Sequence, residues 1–364
     1  ISQLMLTRLD RYILKKFFVT FIFCMLLFTL IAVAVDSSEK TDDFVKAGLT
    51  TGEIITQYYF GFVPFIWGLL YPLFVFIAVI FFTSKMALQS EVIAILASGV
   101  TYRRWLQPYL IGGIVFGIFL WLANTYVIPK ANEIRSIFEI KYLGKGDPMG
   151  SSNNFYMRSD TNTYIGVKYY DTTSKSASTF FLERVRGHRV YYNLRADNIQ
   201  WNDSASKWVL TNAVERRIDS MAERVQLHPQ MYINLNLKPE DLHRDRFLKD
   251  KLSTPELKAF IKGEEQRGIE GLNTLKVEQY RRSATPFTVI LLTIIGAVLA
   301  GRKTRGGSGL HLAMGIGIAA IFILSDRFST VFSVKGNLPP MLAAWIPNIV
   351  FTFVAIYLYR RAPK

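Results

Sequence analysis

Six stretches of this chain are long and apolar enough to cross a bilayer, a crossing that takes about 20 mostly apolar residues. They cover residues 17–35, 58–82, 106–128, 284–300, 310–331 and 342–359. Pro64 and Pro72 fall inside the second and predict bends there. The distribution of basic residues sets the orientation. With the chain start inside the cell, the inner segments carry Arg8, Arg11, Lys15 and Lys16; Lys85, Arg103 and Arg104; Arg302, Lys303 and Arg305; and Arg360, Arg361 and Lys364. Only Asp10 and Glu91 oppose them. The short outer loops hold Lys40, Lys46 and Lys335 against five acids, Asp36, Glu39, Asp42, Asp43 and Glu53. This asymmetry predicts that both chain ends are cytoplasmic. It also accounts for most of the formal charge of +15, so a nucleic-acid partner is not expected. Ala32-Val-Ala34 after a basic start has the look of a signal-peptidase site. The apolar run before it is long for a signal sequence, and an uncleaved first span is the expectation. Met5 is expected to be the natural start, with Ile1 to Leu4 extraneous.

Half the residues are hydrophobic, yet 20% are charged, so a polar domain must accompany the spans. It lies between the third and fourth, in residues 130–282. β-rich runs recur at 154–158, 164–170, 179–185, 190–194, 198–201, 207–214 and 225–237. The sequence Asn202-Asp-Ser-Ala-Ser206 reads as a hairpin loop. An antiparallel sheet, closed as a sandwich or an open barrel, is expected. Ser253 and Glu256 have capping-box spacing, so a helix should run to about Arg267 before Gly268 and Gly271 break it. The organisation is then an N-terminal membrane half at 1–129, an outer β-domain at 130–252, a helical connector at 253–282 and a C-terminal membrane half at 283–364.

Few residues look chemical. Cys24 stands alone in an apolar run, so no disulfide or CxxC motif exists within the chain. The four histidines (His188, His228, His243, His311) lack metal-ligand spacing. No Walker A sequence is present, and the glycine- and base-rich residues 301–309 read as a tight inner turn. No GxSxG, HExxH or paired-carboxylate motif appears, so an enzyme is disfavoured and no cofactor is expected in this chain. The most informative stretch is 84–105, between the second and third spans. Leu88, Val92, Ile95 and Leu96 form an apolar stripe at helical spacing over residues 88–98. Ser90 is placed to cap this helix and Gly99 to end it. Glu91, a lone acid beside an anionic membrane surface, favours docking on a cytosolic partner over an interfacial helix. Asp326 and Arg327, near the outer end of the fifth span, read either as a snorkelling pair or as a functional one. Gly113 and Gly117 have the spacing for close helix approach.

Several segments resemble the lipopolysaccharide-transport permeases LptF and LptG, the YjgP/YjgQ family, and LptG more than LptF. They are Leu9-Asp-Arg-Tyr-Ile13, Ser90-Glu-Val92, Ala97-Ser-Gly-Val-Thr101, Val127-Ile-Pro129, Phe180-Phe-Leu-Glu-Arg-Val-Arg-Gly187, Leu252-Ser253, Ser325-Asp-Arg327, Asn337-Leu-Pro-Pro-Met341 and Ile346-Pro347. Their order, three spans, a β-domain and three spans, is more specific than any one of them. The resemblance implies a polytopic inner-membrane permease with an inserted periplasmic β-jellyroll. It implies pairing with a second LptF- or LptG-like permease around a lipid cavity. An LptB-like cytosolic ATPase dimer would use ATP and Mg. A single-span LptC-like protein would sit at one gate, and an LptA-like periplasmic bridge would receive the lipid. On this resemblance Glu91 is the coupling-helix glutamate, and Asp326 falls on a position often acidic in the family. LptG-type chains can carry a basic residue where this one has Asp36, so the candidates for gate or lipid-phosphate contact are Lys40, Lys46, Lys130, Arg135, Asp326 and Arg327. The competing expectations are a permease for another envelope lipid or lipoprotein, and a membrane-embedded lipid-modifying enzyme.

Overall fold

The protein, as a computed structural model, is described for residues 7–143, 155–160, 162–171, 174–187, 189–219, 222–235, 237, 239–242, 247–267, 271–302 and 307–362. Met5, Asn154, His188, His243, Gly268, Lys303, Arg305 and Lys364 lie outside these residues. The chain divides into two compact units. One is the helical membrane half, residues 1–138, 249–257 and 273–364; the other is built from residues 139–248 and 258–272.

Among the described residues, six helices have the length and apolarity to span a membrane. In chain order, α1 is Arg8–Lys46, α2 is Thr51–Leu88, the short α3 is Glu91–Ala97 and α4 is Tyr102–Tyr142. After the β-insertion come α5, Thr254–Gln266; α6, Asn273–Ala300; α7, Gly307–Lys335; and α8, Pro340–Arg360. The capping box expected at Ser253 and Glu256 starts α5, with the Ser253 N–H donating to the Glu256 carboxylate at 2.8 Å.

Two of the long helices begin at capping boxes too. Thr7 and Asp10 exchange side-chain and backbone hydrogen bonds ahead of α1, and Thr50 and Glu53 do so ahead of α2. At 39 residues, α1 is about 58 Å long, well beyond the roughly 30 Å hydrocarbon core. It continues past the apolar stretch because its polar turns find partners inside the unit, as described below. α2 passes through Pro64 and Pro72 without a break and carries a π-helical turn at Ile54–Tyr59. A second π turn, Ala123–Val127, precedes Pro129 in α4. Proline removes one backbone donor and crowds the carbonyl four residues back, and a widened turn accommodates both.

Aromatic side chains fill the centre of the bundle. Phe17 and Phe21 of α1 lie 4.8 and 4.4 Å, centroid to centroid, from Phe116 of α4, while Phe82 of α2 stacks on Tyr109 at 5.5 Å. α4 also closes on α6 through the two glycines singled out by their spacing. A Cβ on Gly113 would stand 3.3 Å from the Ile290 Cα, and one on Gly117 would stand 3.0 Å from the Pro286 carbonyl oxygen. α6 is tied to α8 where Asn348, 2% exposed, accepts from the Thr288 hydroxyl at 2.8 Å and donates to the Ala284 carbonyl.

The second unit is one antiparallel sheet whose six strands pair in simple sequence order. They are β1 (Phe155–Asp160), β2 (Thr163–Asp171), β3 (Ser176–Arg186), β4 (Arg189–Asn202), β5 (Lys207–Ile218) and β6 (Glu223–Ile233). Among the described residues this is the one sheet of the unit. Alternate residues face a core of Ile165, Val167, Phe180, Leu182, Leu194, Ile199, Trp208 and Leu210. The Trp208 indole N–H is satisfied there by the Leu237 carbonyl at 2.7 Å. The β4–β5 hairpin turns at residues 203–206, as Asn202-Asp-Ser-Ala-Ser206 suggested. β4 unites the two short runs read from sequence at 190–194 and 198–201. Its polar middle keeps one register with β5 on either side, and there Asn212, at φ +53°, donates to the Asp197 carboxylate at 3.0 Å.

Candidate functional site

α3 is one turn of helix and part of another, set between α2 and α4. It starts from Ser90 in a left-handed conformation (φ +62°), and the Ser90 side chain does not cap it, contrary to the expectation from sequence. It ends at Gly99, whose φ of +87° needs a residue without a side chain. Three of the four residues of the apolar stripe turn inward, and Leu88 does not. Val92 is 1% exposed, and Ile95 and Leu96 pack with it on the bundle core. Leu88 and Ile93 stay exposed.

Glu91 does not stand alone. The Tyr12 hydroxyl donates to its two oxygens at 3.1 and 3.0 Å, and the Lys16 ammonium reaches both at 3.2 Å. Tyr12 and Lys16 are one turn apart on α1, and the ammonium also lies 4.3 Å from the centre of the Tyr12 ring. The Glu91 side chain is 29% exposed, enough to meet a partner without leaving this cradle. A second tie lies a turn away. The Arg104 guanidinium grips the Asp10 carboxylate with two hydrogen bonds, at 2.7 and 2.6 Å, and donates to Thr7. The first turns of α1 are therefore tied to the start of α3 through Glu91 and to the first turn of α4 through Arg104.

The cationic candidates separate by environment. Lys40 is 7% exposed and buried beside Asp36, 8% exposed, to which it donates; its ammonium also contacts the Tyr58 hydroxyl and lies 4.5 Å from the Tyr58 ring centre. Tyr58 in turn donates to Asp36 at 3.0 Å. This neutral cluster lets α1 extend past Val35. Arg135 is also buried, with its guanidinium 3.7 Å from the centre of the Phe65 ring. Lys46, in the last turn of α1, and Lys130 of α4 are exposed.

Asp326 and Arg327 border a cavity of about 230 Å³ in the membrane half. Phe65, Leu69, Leu73 and Phe322 line one part of it, and Asn132, Asp250, Glu278, Arg281 and Arg282 another. Arg281 lies between two carboxylates, paired with Glu278 and 3.7 Å from Asp326. Arg282 bonds Glu278 at 3.3 Å and donates to the Leu252 and Lys249 carbonyls. Burial pushes the Asp250 carboxyl above its ordinary value, and the Glu278 charge adds to the effect. The pair Asp326 and Arg327 is thus divided, the acid turned to Arg281 and the base exposed. The sequence reading did not single out Tyr12, Glu278 or Arg281. The i, i+3 and i, i+4 spacing of Glu278, Arg281 and Arg282 was the available signal. Among the described residues, no cluster of His, Cys, Asp and Glu is arranged to hold a metal.

A sequence model of the family described as lipopolysaccharide export system permease LptF/LptG matches residues 11–361. Among individual proteins, the chain is similar to the lipopolysaccharide export system permease protein LptG of Escherichia coli strain K12. Identity is 20% over 362 residues, covering 97% of this chain and 98% of that one. The protein of the same name from Escherichia coli O6:H1 matches with the same identity and coverage.

Proposed function

Because the chain belongs to the lipopolysaccharide export system permease LptF/LptG family, we propose that it is one permease subunit of an ATP-driven transporter that lifts lipopolysaccharide out of the inner membrane. The observation that carries this reading is the family match over residues 11–361, on a chain that sets a six-stranded sheet between two groups of three apolar helices. In this reading both chain ends and α3 face the cytoplasm, the sheet faces the periplasm, and the chain is not itself an enzyme.

The physics of the cargo explains the architecture. Exposing acyl chains to water costs about 0.8 kcal/mol per CH₂, so the lipid must pass from a greasy cavity to a sheltered groove. α1 and α7 are the least covered spanning helices, with 11% and 17% of their apolar windows buried, against 61% for α6. They are the surfaces left for lipid, for a second LptF- or LptG-like permease and for a single-span LptC-like helix. The exposed edge strand β6 presents Leu227 and Val225 to a bridge protein of similar fold, LptA-like, by strand addition. Lys46, Lys130 and Arg327 are exposed cations placed to meet lipid phosphates. Lys40 and Arg135 serve there only if their internal contacts open. ATP is hydrolysed, with Mg as cofactor, by a separate LptB-like dimer docking at Glu91, Leu88 and Ile93.

The test is co-purification of this chain with its candidate ATPase and second permease, wild type against Glu91→Ala. The reading expects a stable complex for wild type, and for the variant loss of bound ATPase or of its stimulation. A wild-type chain that recruits no ATPase would overturn it.

A further inference from the structure

Glu91 is the point where a partner's force would enter the chain, yet its closest contacts belong to another element. The Tyr12 hydroxyl, its one hydrogen shared between the two carboxylate oxygens, and the Lys16 ammonium join it to α1 rather than to α2 or α4. The Asp10–Arg104 pair ties the same end of α1 to the first turn of α4, the helix that follows α3. Val92 and its neighbours seat α3 in the core, so the polar contacts are not needed to bury it. Their geometric effect is different: they make α3 and the start of α1 move together. α1 is a single uninterrupted helix, and a continuous helix transmits a tilt at one end to the other. Its other end carries the buried Asp36–Lys40–Tyr58 cluster, which fastens α1 to α2.

We propose that Tyr12 and Lys16 are positioning residues that couple the Glu91 helix to α1, so that a partner pressing on α3 tilts the first spanning helix as a lever. This rests on the transporter reading above. The tie is polar, so it holds two elements in register while allowing small rotations that a packed apolar contact resists. The exposed part of the Glu91 side chain places the lever's short arm at the docking surface. A basic side chain from the partner would share the Glu91 carboxylate with Lys16 rather than displace an apolar contact.

Two experiments separate this proposal from the reading beneath it. In proteoliposomes holding the chain with its ATPase and second permease, Tyr12→Phe/Lys16→Met should leave the ATPase bound and hydrolysing. Lipopolysaccharide released per ATP should fall about tenfold, within the usual range of coupling between sites. Lys16→Arg should restore it, because the ion pair survives. Unchanged release per ATP in the double variant, or loss of the bound ATPase, would overturn the lever. In the purified chain alone, hydrogen exchange at residues 91–97 should quicken about tenfold in the double variant, as for loss of a charge-assisted bond. Residues 102–120 should exchange as in wild type. If wild type moves no lipopolysaccharide, the transporter reading fails, and the exchange result still decides whether Tyr12 and Lys16 hold α3. Equal exchange in wild type and double variant would overturn that.

Discussion

Replacing Gly61 by alanine puts a methyl group where the backbone of α4 already is. The new Cβ would lie 2.6 Å from the Ala131 carbonyl oxygen, 2.7 Å from the Arg135 nitrogen and 2.9 Å from the Arg135 Cβ. Ordinary contact begins at 3.4 Å, so α2 and α4 must part by about 0.8 Å at this level. No side chain can simply swing aside, since two of the three atoms are main chain. Overpacking of this kind costs about 1–3 kcal/mol. At about 2–4 °C per kcal/mol, the thermal midpoint should fall by about 2–12 °C. The same substitution at Gly263, inside α5 with nothing within 4 Å, should be neutral or stabilising by up to about 1 kcal/mol. Thermal unfolding of both variants in one detergent is the assay. Because Arg135 packs on Phe65 next to this contact, Gly61→Ala should also loosen Arg135. A Gly61→Ala midpoint at or above wild type would refute the close approach of the two helices.

The β-domain responds to acid through Glu215. Hydrogen bonding from Arg217, helped by His228, holds its carboxyl below the ordinary 4.5 despite burial. The stability it contributes is therefore present above pH 4.5 and lost as pH falls through the lower folded value. Exchange protection of β4–β6 amides, corrected for intrinsic rates, should drop over that window, and Glu215→Gln should flatten the drop. Trp208→Phe leaves the Leu237 carbonyl without its donor and should cost the domain about 1–3 kcal/mol, read as protection lost in β5. Arg281→Met should destabilise the chain more than Asp326→Asn, because it strips the shared partner from both Glu278 and Asp326; thermal midpoints check the order.

The spans were legible because apolar length is a local property, and lipid imposes it on every crossing helix. Their ends were less so. Val35 looks like the end of the first span, yet α1 runs on to Lys46, since Asp36 and Lys40 cancel each other against Tyr58 and Phe44 packs on Phe138. The i, i+4 spacing of Asp36 and Lys40 is in the local sequence, but Tyr58 of α2 and Phe138 of α4, which bury this part of the helix, are not. The glycine pair Gly113 and Gly117 was visible from its spacing, though not its α6 partner. At the candidate site Glu91 stood out as an acid among bases. Its Tyr12–Lys16 cradle comes from residues about 75 positions earlier. The stripe at Val92 was real, but only the fold shows that it faces the bundle. Arg281 escaped notice because arginine before a span is ordinary, and its meaning lies in the distance to Asp326.

The most direct test of the account is ATP-dependent release of lipopolysaccharide. Proteoliposomes loaded with the lipid would hold this chain, its ATPase and the second permease, and a soluble periplasmic acceptor would be added outside. Lipid should reach the acceptor with ATP and not without it, and omission of this chain should abolish transfer. Transfer that does not need ATP or this chain, or its absence with every partner present, would contradict the account.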